Sequence, residues 1–163
     1  MGGGSLWDVG CYPVSYTRLI VGEKAREVFG WQVEGPTGID ETFMGQMRFE
    51  NGVLAQFVCG FASPFRTSME IIGSKGTLNI PVPFHCGRLK PGTSDKIYLQ
   101  VGDEAETIEI PYHELYIGEV EDMADTILDH KEPRMSLADS RDNIEMILGL
   151  FESARNGKAI TLS

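Results

Sequence analysis

Basic residues, paired cysteines and long apolar runs are all scarce in this sequence. Its 163 residues carry 14 Lys plus Arg against 24 Asp plus Glu, a formal net charge of -10. A general phosphate-backbone binder needs clustered Lys and Arg to displace counterions, so nucleic acid is disfavoured as a partner. The three cysteines, Cys11, Cys59 and Cys86, are odd in number and widely spaced, with no CxxC pair and no zinc-finger interval. They read as free thiols in a reducing compartment. No stretch approaches the roughly 18 to 20 uncharged apolar residues of a membrane span, and the N-terminus lacks the order of regions found in a signal peptide. A cytoplasmic protein without a membrane partner is expected.

Motif absences narrow the chemistry. The glycines at the start do not form GxGxxG, because Trp7 stands where a glycine is needed, and no Walker-type loop occurs. His85, His113 and His130 are scattered outside any HExxH pattern, and no GxSxG elbow is present. No metal site is therefore predicted, and nucleophilic hydrolysis has no support. The acidic run Glu119, Glu121, Asp122, Asp125 and Asp129 reads as a solvated helix face.

What is present fits one domain of ordinary size, able to remove roughly 70% of its unfolded surface from water. A short helical start, a strand-rich middle and a helical end predict an α+β fold, and the lack of strand-helix alternation disfavours a doubly wound sheet. A strand is expected over residues 25–34. Runs 39–49 and 53–62 flank Asn51-Gly52, a dipeptide suited to a tight turn with positive φ, and so predict a hairpin. Runs 68–72 and 77–82 around Gly73-Ser74-Lys75-Gly76, and 96–101 and 104–110 around Gly102-Asp103, predict two more. The total is six or seven mostly antiparallel strands in an open sheet.

Toward the C-terminus, Val120, Met123, Ala124, Ile127 and Leu128 follow helical spacing. A second helix is predicted from a Ser136 cap, with Ile144, Ile147, Leu148, Phe151 and Ala154 as its buried stripe and Asn156-Gly157 as its end. The strands of the first hairpin show no uniformly polar face, which suggests that a second subunit covers part of the sheet.

The stretch 2–13 holds the chemistry-bearing candidates. Asp8 and Tyr12 are four residues apart, a spacing that stacks them on one helix face and lets a carboxylate orient a hydroxyl beside a phenol. A tyrosine, with an ordinary pKa of about 10, needs a neighbouring cation or a developing alkoxide to exchange a proton near neutrality. The competing reading is a cap carboxylate at Asp8 and a core or interface tyrosine at Tyr12. Pro13 removes a helical hydrogen bond or marks a first turn.

Four runs, GGGSLWDVGCYPVSYTRLIVG, DETFMGQMRFENGVLAQFVCGF, MEIIGSKGTLNIPVPF and DSRDNIEMILGLFESARNGKAITL, follow one another over nearly the whole chain. Together they resemble the C-terminal domain of the glucose-fructose oxidoreductase, inositol dehydrogenase and MocA (Gfo/Idh/MocA) family. The branch with tyrosine at the catalytic position, which includes xylose dehydrogenase and dimeric dihydrodiol dehydrogenase, is the most similar. The resemblance implies an α+β domain with an open, mostly antiparallel sheet, helices on one face and a homodimer through the other. It places the family's DxxxH/Y motif on Asp8, as a substrate-binding residue, and on Tyr12, as the catalytic proton exchanger, acting on a sugar, polyol or related hydroxy compound. Family members bind NAD or NADP in an N-terminal Rossmann domain that carries a lysine in an EKP motif. Neither lies within these 163 residues. The implied reading for residues 1–163 is a single substrate-binding and dimerisation domain, a fragment or truncated product with no cofactor of its own and no activity alone. Two alternatives are a stand-alone scaffold and a small-molecule binding module, the latter requiring a closed pocket around Asp8 and Tyr12.

Overall fold

The computed structural model describes residues 3–84 and 94–163. A π-turn, Leu6–Gly10, runs directly into helix α1, Cys11–Val21, and is followed by strands β1 (Glu27–Glu34), β2 (Asp40–Arg48), β3 (Leu54–Gly60), β4 (Met69–Ile72), β5 (Thr77–Ile80), β6 (Ser94–Val101) and β7 (Glu104–Pro111). Helices α2 (Ile117–Leu128) and α3 (Leu137–Asn156) and a short strand β8 (Ile160–Thr161) complete the chain. The residues form two compact units, Met1–Pro64 with Met135–Ser163, and Phe65–Arg134.

The α+β class and the antiparallel pairing agree with the sequence reading, but a single sheet of six or seven strands does not form. Among the described residues, eight strands make two four-stranded sheets, ordered β3-β2-β1-β8 and β4-β5-β6-β7. The sequence pattern finds each hairpin because its signal is local. The division between sheets depends on pairing across residues 61–68, where nothing periodic marks a boundary.

In the first unit, β1, β2 and β3 pair in register, with Val28 opposite Met47, which lies opposite Ala55, and Gln32 opposite Phe43, which lies opposite Cys59. These side chains face a core of Leu6, Val14, Ala25, Val28, Phe43, Met47, Phe49, Met146, Ile147 and Leu150. The π-turn, α1 and α3 supply the helical half of that core, so helices cover one face of this sheet. At the centre, Gly30 lies opposite Gly45, and α3 approaches so closely that a Cβ on Gly30 would stand 2.7 Å from the Leu150 carbonyl oxygen. The Gly30 amide donates to Ser153 Oγ at 3.0 Å, and that hydroxyl donates to the Lys158 carbonyl. This pair of bonds supplies a partner beyond the end of the two-residue strand β8.

The first hairpin turns differently from expectation. Phe49 N–H donates to the Val53 carbonyl and Gly52 N–H to the Phe49 carbonyl, which makes a three-residue loop of Glu50, Asn51 and Gly52. Gly52 alone has positive φ, at 87°, as in a type I turn closed by a glycine bulge. Asn51 instead accepts from Val53 N–H through its side chain. In the second unit, neither Gly73 nor Gly76 takes a positive φ. Gly76 is required for space, since a Cβ there would meet the Gln100 carbonyl oxygen at 2.3 Å. Gly102 does take φ 59°, the glycine-first pattern of a tight two-residue turn.

Helix α3 starts at the predicted cap: Ser136 is extended and its Oγ accepts from Asp139 N–H at 3.0 Å. The Asp139 carboxylate does not close a capping box. It pairs with buried Arg18 of α1 at 2.9 Å, which ties the two helices together. Gly157, in the left-handed conformation, ends α3. Of the predicted stripe, Ile147 is buried and Phe151 and Ala154 pack against the core, whereas Ile144 and Leu148 are exposed; Met146, Leu150 and Ser153 complete the buried face. At the glycine pair beneath Leu150 the helix comes down closely onto the sheet. Helix α2 forms as predicted, and its apolar stripe is exposed, with no buried residue. Its acidic side chains pair with neighbouring cations, Asp122 with Arg134 and Asp125 with Lys131, in keeping with a solvated face.

Candidate functional site

Asp8 lies within the π-turn and Tyr12 two residues past its end. Leu6, Gly10 and Val14 are buried beneath them, while Asp8 and Tyr12 are exposed. The helix therefore brings the two sequence-predicted residues to its solvent side and uses the opposite side for packing. Tyr12 is about half exposed, at 51%, which contradicts a core tyrosine. Asp8 does not act as a cap through its side chain either: the capping carboxylate is another residue.

That residue is Asp40, at the start of β2. Its Oδ2 accepts from Ser5 Oγ at 2.8 Å and from Leu6 N–H at 2.7 Å. Both first-turn donors are thereby satisfied from a strand 34 and 35 positions away. Asp40 and Ser5 are almost fully buried. Gly4 closes against the same carboxylate, with a Cβ at that position lying 2.0 Å from Asp40 Oδ1. Sequence reasoning missed Asp40 because it stands inside a strand run, and a cap contributed from such a distance leaves no periodic signal.

Pro13 lies just past the wide turn. Proline has no N–H, so it cannot donate to the Asp8 carbonyl in the i to i+5 pattern. The Cys11 thiol lies 3.6 Å from that carbonyl oxygen instead. The chain leaves the π-turn and continues as α-helix, with Tyr12 at the junction.

The thiols at the site are poor nucleophiles. Burial pushes the Cys11 thiol up from its ordinary pKa, and burial likewise pushes Cys59 up, to about 11. Cys59 Sγ lies 3.6 Å from the Ser5 carbonyl oxygen, which fits a structural thiol packed under the helix. Cys86 and His85 lie outside the described residues. His113 Nδ1 lies 3.2 Å from the Glu114 carbonyl oxygen, and His130 follows the end of α2 with φ 55°. Among the described residues no group of three His, Cys, Asp or Glu side chains could hold a metal ion. No helix among them is long and apolar enough to cross a membrane.

Beside the helix start, a cleft of about 640 Å³ is lined by Gly3, Trp7, Gln32, Glu34, Phe151 and Arg155, among others. The Trp7 and Phe151 rings lie 6.3 Å apart, and the Arg155 guanidinium stands 6.0 Å from the Phe151 ring. Neither Asp8 nor Tyr12 lines this cleft, so it is not the closed pocket around those residues that a stand-alone binding module requires.

Residues 1–79 match the GFO/IDH/MocA C-terminal domain. D-xylose 1-dehydrogenase (NADP(+)) 2 of Haloferax volcanii is 25% identical over 99% of this chain and 49% of its own length. Trans-1,2-dihydrobenzene-1,2-diol dehydrogenase of Danio rerio is 30% identical over 53% of this chain and 26% of its own. Among solved structures, an aldose-aldose oxidoreductase from Caulobacter crescentus, complexed with glycerol, superposes with a TM-score of 0.84 at 20% identity, over 98% of this chain and 48% of that one. At that identity the likeness establishes the fold. The chain spans about half the length of the xylose dehydrogenase it matches from end to end.

Proposed function

We propose, from the match of residues 1–79 to the GFO/IDH/MocA C-terminal domain, that this chain is the substrate-facing and dimer-forming part of an NAD(P)-dependent oxidoreductase. Its substrate is a sugar, polyol or related hydroxy compound. The observation that carries the reading is the exposure of Asp8 and Tyr12 on one anchored helix whose other side is core. Asp8 accepts a hydrogen bond from a substrate hydroxyl and orients it. Tyr12 exchanges the proton at the reacting oxygen of the substrate. The nicotinamide supplies the hydride chemistry; the residues described here contain no phosphate-binding loop to hold it.

The division of labour gives a direct test. Holding a nicotinamide against the substrate carbon takes a second wall, and such positioning supplies several kcal/mol of the barrier. Calorimetry on the 163-residue chain is expected to show no binding of NAD or NADP at micromolar concentrations. A micromolar dissociation constant would overturn this allocation of roles.

The uncovered face of the first sheet supports a homodimer. Trp31, Met44 and Val58 lie side by side across β1, β2 and β3, and Leu54 lies on the same face of β3, four residues from Val58. Val58 and Leu54 are 71% and 74% exposed, and exposed apolar surface across neighbouring strands marks an interaction site. Light scattering is expected to give a dimeric mass at tens of micromolar, and Leu54→Glu to give a monomer of unchanged solubility. A wild-type monomer at that concentration counts against the interface.

A further inference from the structure

We infer that Asp40 is a positioning residue for the Asp8 and Tyr12 helix, setting from β2 the register in which both side chains are presented. The inference rests on the substrate-facing role proposed above for that pair and adds the residue that holds it in place.

Three observations converge on Asp40. One oxygen, Oδ2, receives both the Ser5 hydroxyl and the Leu6 amide, so a single acceptor pins two consecutive residues at the helix start. Asp40 is 3% exposed, where little water is at hand to replace a lost acceptor. The contact also permits no slack on its other side, because Gly4 has no room for a Cβ against Asp40 Oδ1.

The π-turn makes this anchoring consequential. Here the wide turn is bracketed: Asp40 fixes its first residues, and Pro13, with no N–H to give to either an α or a π pattern, follows its end. Asp8 sits inside the bracket and Tyr12 at its exit. If the helix start slips by one residue, Asp8 rotates relative to Tyr12, and the two no longer meet one substrate oxygen. The helix's own end is a poor substitute anchor, since neither Ser5 nor Gly10 makes a side-chain cap bond at the π-turn or at α1.

The test compares Asp40→Ala with Asp40→Asn, whose amide oxygen can occupy the same acceptor position. In the 163-residue chain, hydrogen exchange is expected to show the Leu6 amide exchanging at least about tenfold faster in Asp40→Ala relative to α3 amides, and near the wild-type rate in Asp40→Asn. In the oxidoreductase that contains this domain, Asp40→Ala is expected to lower kcat about 10²-fold, with KM within about threefold, as for a misplaced reacting group. Asp40→Asn is expected to restore most of kcat. Should Asp40→Ala fail to fold, Asp40→Asn against Ser5→Ala carries the same comparison, with the asparagine variant expected to be the more active. Unchanged Leu6 exchange in Asp40→Ala, or an asparagine variant as impaired in kcat as the alanine one, overturns the positioning role. If Leu6 exchange accelerates while Tyr12→Phe and Asp40→Ala both leave kcat intact, the substrate-facing reading of the helix fails and the anchoring itself stands.

Discussion

On the proposed reading, Tyr12→Phe is expected to lower kcat by about 10²- to 10⁴-fold, the usual contribution of a positioned proton-transfer group, when measured in a full-length oxidoreductase carrying this domain. KM for the substrate changes little, because the ring remains and only the phenolic hydroxyl is lost. Asp8→Asn should behave differently: it keeps an acceptor but loses the charge that favours a substrate hydroxyl, so KM rises and kcat falls less. The contrast matters more than either number. Loss of turnover with unchanged KM places Tyr12 in the transition state, whereas equal effects of both variants on KM would reduce the pair to a binding surface. Both side chains are exposed and neither belongs to the core. Melting temperatures of the two variants should therefore stay within about 2 °C of wild type, which separates a catalytic effect from a folding one.

Gly30→Val produces the largest expected loss of stability. Its Cβ would stand 2.7 Å from the Leu150 carbonyl oxygen and 2.7 Å from Phe43 Cζ. The first is helix backbone and cannot rotate away. Either α3 lifts from the sheet or β1 bends, and overpacking of this kind costs about 3 kcal/mol. For a domain of this size that corresponds to a fall of roughly 6 to 12 °C in Tm. The Gly30 amide bond to Ser153 Oγ would be strained by the same displacement. Gly118 provides the control: it sits in α2 with nothing within 4 Å of a Cβ, and Gly118→Ala should hold or raise Tm by improving helix propensity. A Gly30→Val protein melting at the wild-type temperature would show that α3 does not depend on this close approach.

These two predictions fall on opposite sides of what local patterning can reveal. Asp8 and Tyr12 were legible because helix periodicity is a property of neighbouring residues, and a spacing of four survives even when the first turn widens. The hairpins were legible for the same reason, through apolar runs interrupted by glycine-containing turns. The finer geometry was not. Asn51-Gly52 became a three-residue loop because the pairing of Phe49 with Val53 set its length, and Gly76 was needed for the approach of β6 instead of for a left-handed turn. The buried stripe of α3 kept Ile147, Phe151 and Ala154 but took Met146 and Leu150 in place of Ile144 and Leu148, since the apolar residues of that helix extend beyond one stripe and the sheet chooses among them.

The amino-acid order alone determined the α+β class, the antiparallel hairpins, the Ser136 and Gly157 ends of α3, and the placing of Asp8 and Tyr12 four residues apart on one helical stretch. Each follows from interactions among residues close in sequence. The tertiary structure decided the split into two four-stranded sheets, the seating of α3 on the Gly30 and Gly45 pair, and the capture of the helix start by Asp40. Those depend on groups brought together from 34 to more than 100 positions apart, where shape and unsatisfied hydrogen-bond donors decide which residues meet and no periodicity records the choice.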